Sequence, residues 1–124
     1  MTPADTHAIF CDHEEWLRRT LRTITEGPVV ILTHHTPSCT GTSYPHFEGP
    51  DKPTNHAFSS DLRDLIEEFP CINFWCYGHT HYNNRQRVTQ RPSEDQRENS
   101  CQLLSNQAGY KDSIKENYSP QFVI

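Results

Sequence analysis

A short apolar run ending in two closely spaced histidines does most to limit what this chain can become. The run is Ile72-Asn73-Phe74-Trp75-Cys76-Tyr77, and Gly78-His79-Thr80-His81 follows it directly. Glycine tolerates positive φ, so Gly78 offers a sharp exit from a strand. With one residue between them, His79 and His81 can point the same way where the segment is locally extended. Imidazoles aimed at one point from the end of a buried strand are good ligands for Zn, Mn or Fe.

The same logic occurs earlier in the chain. Val29-Val30-Ile31-Leu32 is a continuous, mostly β-branched apolar run that reads as a buried strand. It leads straight into Thr33-His34-His35-Thr36-Pro37. In layered α/β proteins, ligands and catalytic groups collect at strand ends. A helix is expected on each side of the first run. Asp12 and Glu15 fit a capping box, and Trp16, Leu17, Leu21 and Ile24 share one face, which predicts a helix over 12–26 stopped by Gly27-Pro28. Ser59 or Ser60 can cap a second helix near 59–68, with Leu62, Leu65, Ile66 and Phe69 at i, i+3, i+4 and i+7. Residues 1–7 read as irregular.

Shorter strands are expected at 85–89, 101–105 and 121–124, with a turn at 106–110. Between the main elements, residues 38–57 form a polar loop of a length that tends to be functional or mobile. His46 and His56 lie in it and read as surface histidines. The segment 90–100 is almost wholly polar and reads as a solvated loop.

At 124 residues the chain is long enough for one small domain, but only 33% of it is hydrophobic, a lean core. A net charge of −5 speaks against general attraction to nucleic acid or membrane surfaces. Nothing resembles a transmembrane span or a signal peptide, which makes a cytoplasmic protein the expectation. Five cysteines, an odd number with no C-x-x-C pair, read as free thiols in a reducing compartment.

Four stretches together resemble the calcineurin-like metallophosphoesterase superfamily. They are Val29 through Pro37, Ala57-Phe58-Ser59-Ser60-Asp61-Leu62, Gly78-His79-Thr80-His81, and Leu104-Ser105-Asn106-Gln107-Ala108-Gly109-Tyr110. The Gly-His-x-His element is a hallmark of that superfamily, and the resemblance spans residues 8–124. The family's first three motifs, Asp-x-His, Gly-Asp and Gly-Asn-His, are not found, and Asp5-Thr6-His7 reads as coincidence because no strand precedes it.

The resemblance therefore implies the C-terminal half of an α/β, layered metallophosphoesterase-like sandwich. That half would hold two main helices, two buried strands, and then short, mostly antiparallel strands. It implies a hydrolase of phosphate mono- or diesters that uses two divalent transition metals (Mn, Fe or Zn) in the full-length family. His34 and His79 would serve one ion and His81 the other, with His35 beside the site and within reach of substrate phosphate. It also implies a missing N-terminal half, which carries the bridging carboxylate and the histidine acid, so that this chain alone is inactive. The alternative is a non-catalytic, metal- or partner-binding remnant.

Overall fold

The computed structural model describes residues 2–49, 51–92, 98–115 and 117–121. Two helices and a four-stranded mixed sheet form a small α/β unit. Helix α1 is Pro3–Leu21 and α2 is Arg63–Glu68. The sheet contains β1 (Val29–Leu32), β2 (Ile72–Cys76), β3 (Arg85–Thr89) and β4 (Ser100–Leu104), in the spatial order β1-β2-β4-β3. A separate hairpin pairs β5 (Gly109–Tyr110) with β6 (Ser113–Ile114). No described helix is long and apolar enough to cross a membrane.

Helix α1 begins nine residues before the expected position. Thr2, not Asp12, is the cap: its hydroxyl accepts from the Asp5 N–H, and the Asp5 carboxylate accepts from the Thr2 N–H. Pro3 fits the first turn because its missing N–H has no helical partner there in any case. Residues 3–7, expected to be irregular, are thus regular helix, and Asp5 of the Asp-x-His triplet is occupied in capping. The helix also stops earlier, at Leu21, and Gly27 adopts a φ of +84°. Helix α2 is shorter than expected too. Ser59 does not cap it, since its hydroxyl donates to the Asn55 carbonyl.

Apolar side chains of both helices cover one sheet face. Phe10, Leu17 and Ile24 pack against a buried cluster that includes Leu21, Ile31, Leu65, Ile66, Ile72, Trp75 and Leu103. Ile31, Trp75 and Leu103 align across three strands as one core row. Arg18 ties the helices at their rim, donating to Glu14 on its own helix and to Asp64 and Glu68 of α2.

One expectation about the strands needs correction. β1 is an edge strand rather than a buried one, with Val30 47% and Leu32 75% exposed. A continuous apolar run does not distinguish a strand covered on one face from one covered on both. The later strands pair with one another antiparallel, β3 with β4 and β5 with β6, while β4 also runs parallel to β2. The chain runs out to the far edge as β3 and returns as β4 between its predecessors. The expected final strand at 121–124 falls largely outside the described residues.

Gln90, expected in a solvated loop, is 4% exposed. Its amide nitrogen donates to the carbonyls of Ile66, Phe69 and Ile72, where α2 ends and β2 begins; the Phe69 carbonyl also accepts from the Ile72 N–H. Gln90→Leu keeps the volume but takes this donor away from the Ile66 and Ile72 carbonyls, while Phe69 retains the Ile72 N–H. Thermal or urea denaturation should show a loss of about 2 kcal/mol, in line with buried polar groups left unsatisfied. An unchanged midpoint would mean that water replaces the amide.

Candidate metal centre

β1 and β2 are adjacent and parallel, so both deliver their C-terminal ends to the same edge of the sheet. The ladder continues past the strands. Thr33 N–H donates to the Cys76 carbonyl at 3.0 Å, and Gly78 N–H donates to the His34 carbonyl at 3.0 Å. These bonds hold the Thr-His-His and Gly-His-Thr-His segments side by side. Thr33 also connects the site to the core. Its hydroxyl accepts from the buried Trp75 indole N–H at 2.9 Å and donates to the His35 carbonyl at 2.6 Å.

The sharp turn after β2 is not made by Gly78. The left-handed residues are the histidines themselves, with φ of +67° at His79 and +51° at His81. Thr80 N–H donates back to the Gly78 carbonyl at 2.8 Å, closing a three-residue turn around His79. Such turns with positive φ at the centre are rare and strained. Left-handed backbone at a residue carrying a Cβ costs about 1–2 kcal/mol, and strain of this kind clusters at functional sites.

Gln107, which the spacing of motifs did not single out, holds that conformation from 26 residues away. Its side-chain oxygen accepts from His81 N–H at 2.8 Å, and its amide donates to Thr80 Oγ1 at 3.1 Å. Asn83 donates in turn to the Gln107 carbonyl at 2.9 Å. Beyond it, Gly109 needs its φ of +82°, and a Cβ there would lie 2.9 Å from the Ser113 carbonyl oxygen.

Three imidazoles converge as a result. His34 Nε2 lies 2.9 Å from His79 Nδ1. The His35 ring centroid is 5.3 Å from that of His34 and 4.7 Å from that of His79. One nitrogen from each ring lies within 4.8 Å of the other two, and all three residues are exposed. Separation of His34 and His79 by more than about 12 Å would have excluded a common ion, given metal–nitrogen bonds near 2 Å.

Desolvation lowers the pKa of His35, and the neighbouring His79 and His34 lower it further. Desolvation likewise lowers His79, with His34 and His81 adding to the effect. Both shifts favour the neutral imidazole, the form that ligates metals. The donor set fits a transition ion. Three histidines with an open fourth position are a known zinc arrangement, and tetrahedral geometry places ligand nitrogens about 3.3 Å apart. A small opening of the 2.9 Å pair reaches that spacing.

His81 lies beside this group, with its ring edge-on to Tyr110 at a centroid distance of 4.5 Å. It borders a cleft of about 480 Å³ shared with Tyr44, Tyr82 and Lys115. On the other flank, His35 borders a second cleft of about 480 Å³ with His7, Phe10 and His56. His46 stacks on Tyr44 and lies against Phe47, and it is not one of the three converging histidines.

The 38–57 loop is anchored from within. The Glu48 carboxylate accepts from the N–H groups of Gly41, Thr42 and Ser43 and from the Ser43 hydroxyl. Partial burial works to raise its pKa, but these donors outweigh burial and hold it below the ordinary carboxylate value. Asn55 closes the loop by donating to the Cys39 carbonyl at 2.8 Å.

All five cysteines are unpaired. Cys101 is fully buried, and desolvation together with nearby Cys76 pushes its thiol up to about 12.

No protein-family model matches the chain, no curated protein is significantly similar to it, and no solved structure matches it.

Proposed function

We propose that this chain is the metal-binding C-terminal half of a calcineurin-like phosphoesterase, in which His34, His35 and His79 hold one divalent transition ion, Zn, Mn or Fe. The observation that carries this reading is the convergence of three imidazole nitrogens within 4.8 Å at the ends of two adjacent parallel strands. It departs from the ligand partition that the resemblance implies, because His35 takes the place beside His34 and His79 and His81 turns to the adjoining cleft. A bound ion would polarise a phosphoryl oxygen and lower the pKa of a coordinated water.

The chain's own residues have more limited tasks. Thr33 and the paired strand ends orient His34 and His35, and the Gln107 clamp holds the strained turn that presents His79. The two flanking clefts leave room for an ester and its leaving group on either side.

Calorimetric titration with Zn²⁺ and Mn²⁺ tests the metal reading. Saturable binding of one ion per chain is expected, with affinity falling as pH drops through the histidine range. The lowered pKa values of His35 and His79 place their part of that loss below the usual imidazole value. Absence of saturable binding at neutral pH would overturn the proposal.

Catalysis is a separate matter. Pairing two metals needs a bridging carboxylate, and the three-histidine group contains none. General acid help alone contributes roughly 10²–10⁴-fold. The purified chain is therefore expected to leave p-nitrophenyl phosphate and its bis-ester unhydrolysed above background, even with excess Mn²⁺. Turnover that disappears in His34→Ala would show that the chain assembles a working site unaided.

A further inference from the structure

The cleft beside His81 is built from groups the metal reading leaves unused. Tyr44 and Tyr82 form one wall, with ring centroids 5.1 Å apart and planes tilted by 57°. Tyr44 is fixed in place: its hydroxyl donates to the His81 carbonyl at 3.3 Å and accepts from Lys115 Nζ at 3.0 Å. The Lys115 ammonium lies 5.3 Å from the Tyr44 ring centroid. Lys115 is half-buried, and among the described residues no carboxylate lies within 4 Å of it. Asn83 and Asn117 border the same space, and their side chains contact each other at 3.2 Å. A volume of about 480 Å³ suits a small organic ligand.

The chemistry of this lining is specific. The two half-buried tyrosine rings that line the cleft favour a planar ring, a cation without a described carboxylate partner favours an anion, and the amides offer edge hydrogen bonds. The cleft also opens beside the three-histidine group. His81, at its edge, is two residues from His79, so their Cα atoms lie within about 7 Å.

We propose that the Tyr44–Tyr82–Lys115 cleft is the recognition pocket for an aromatic phosphate ester. The ring rests on the two tyrosines, Lys115 meets the ester's negative charge, and the phosphoryl group points toward His79. This inference rests on the metal-site reading for the phosphoryl end only; the ring and the lysine make their contacts without an ion.

Equilibrium binding of phenyl phosphate, adenosine monophosphate, glycerol phosphate and inorganic phosphate to the full chain tests it, with and without Zn²⁺. Both aromatic esters should bind roughly tenfold more tightly than glycerol phosphate, the gain typical of one stacked ring. Tyr82→Ala should erase that preference, and Lys115→Met should weaken both aromatic esters while the fold, followed by circular dichroism, is unchanged. The preference for a ring should persist in His79→Ala and in metal-free protein. The Zn²⁺-dependent part of inorganic phosphate binding should vanish in His79→Ala.

The two readings therefore fail separately. Inorganic phosphate that gains nothing from Zn²⁺ counts against the metal site alone. Equal affinity for phenyl and glycerol phosphate, full ring preference in Tyr82→Ala, or unchanged ester affinity in Lys115→Met overturns the cleft. Tighter binding of the nucleotide than of phenyl phosphate assigns the amides to a nucleobase edge, and equal binding assigns the pocket to a simple aryl group.

Discussion

His79→Ala is expected to weaken Zn²⁺ binding by at least about 100-fold, the upper end of what even outer-shell changes at metal sites cost. The reason is geometric. His34 and His35 come from one strand end, and only His79 comes from the other, so its nitrogen closes the triangle. Removing it leaves two neighbouring imidazoles, fewer than the three protein ligands of a typical catalytic zinc site.

The substitution also changes the backbone balance. Alanine inherits the φ of +67° and with it the left-handed cost, whereas glycine does not. His79→Gly should therefore lose the metal to the same extent as His79→Ala while melting higher in the metal-free state. Titration calorimetry and a metal-free melt on the three proteins check both halves. Equal Zn²⁺ affinity in parent and His79→Ala removes His79 from the site. A glycine variant that melts no higher than the alanine one shows that the turn carries no strain.

The second large effect is expected in the core. Trp75 is fully buried, sits in the row between Ile31 and Leu103, and spends its indole N–H on Thr33 Oγ1. Trp75→Ala removes the largest buried side chain of a small core and should cost about 3–5 kcal/mol. For a domain of this length that corresponds to a fall in Tm of roughly 10 °C or more, and total stability is only about 5–15 kcal/mol.

Trp75→Phe separates packing from the hydrogen bond. It keeps a ring in place but frees Thr33, whose hydroxyl orients the His35 carbonyl. It should cost less stability and still weaken metal binding measurably. A Tm within about 3 °C of the parent for Trp75→Ala would mean that the row is not the centre of the core.

Much of the sheet was legible because its signals are local. β2 and β1 are apolar runs, and β3 and β4 fall within a residue of the expected 85–89 and 101–105. The start of α1 was missed for a definable reason. Its first turns are exposed, and Phe10 is the first of its side chains to reach the core, so the apolar face starts well after the cap. The signal that was present is the Thr2-Pro3-Ala4-Asp5 cap, whose polar bonds do not depend on a buried face. Gln90 was misread because a polar residue in a polar stretch gives no sign that three carbonyls await it elsewhere in the chain.

The sequence by itself determined that two apolar strands end in histidines, that helices separate and precede them, and that the core is lean. Side-chain alternation and capping follow from neighbours a few residues away, and such neighbours are written in order along the chain. The tertiary structure decided which imidazoles meet. His34 and His35 face His79 because β1 and β2 pair in parallel, with Val29 opposite Ile72, 43 positions further along the chain. His81 faces away toward Tyr110 because two left-handed residues and the distant Gln107 set the direction of the turn. A His-x-His pair converges only on an extended backbone, and whether the backbone is extended was settled by hydrogen bonds from another part of the fold.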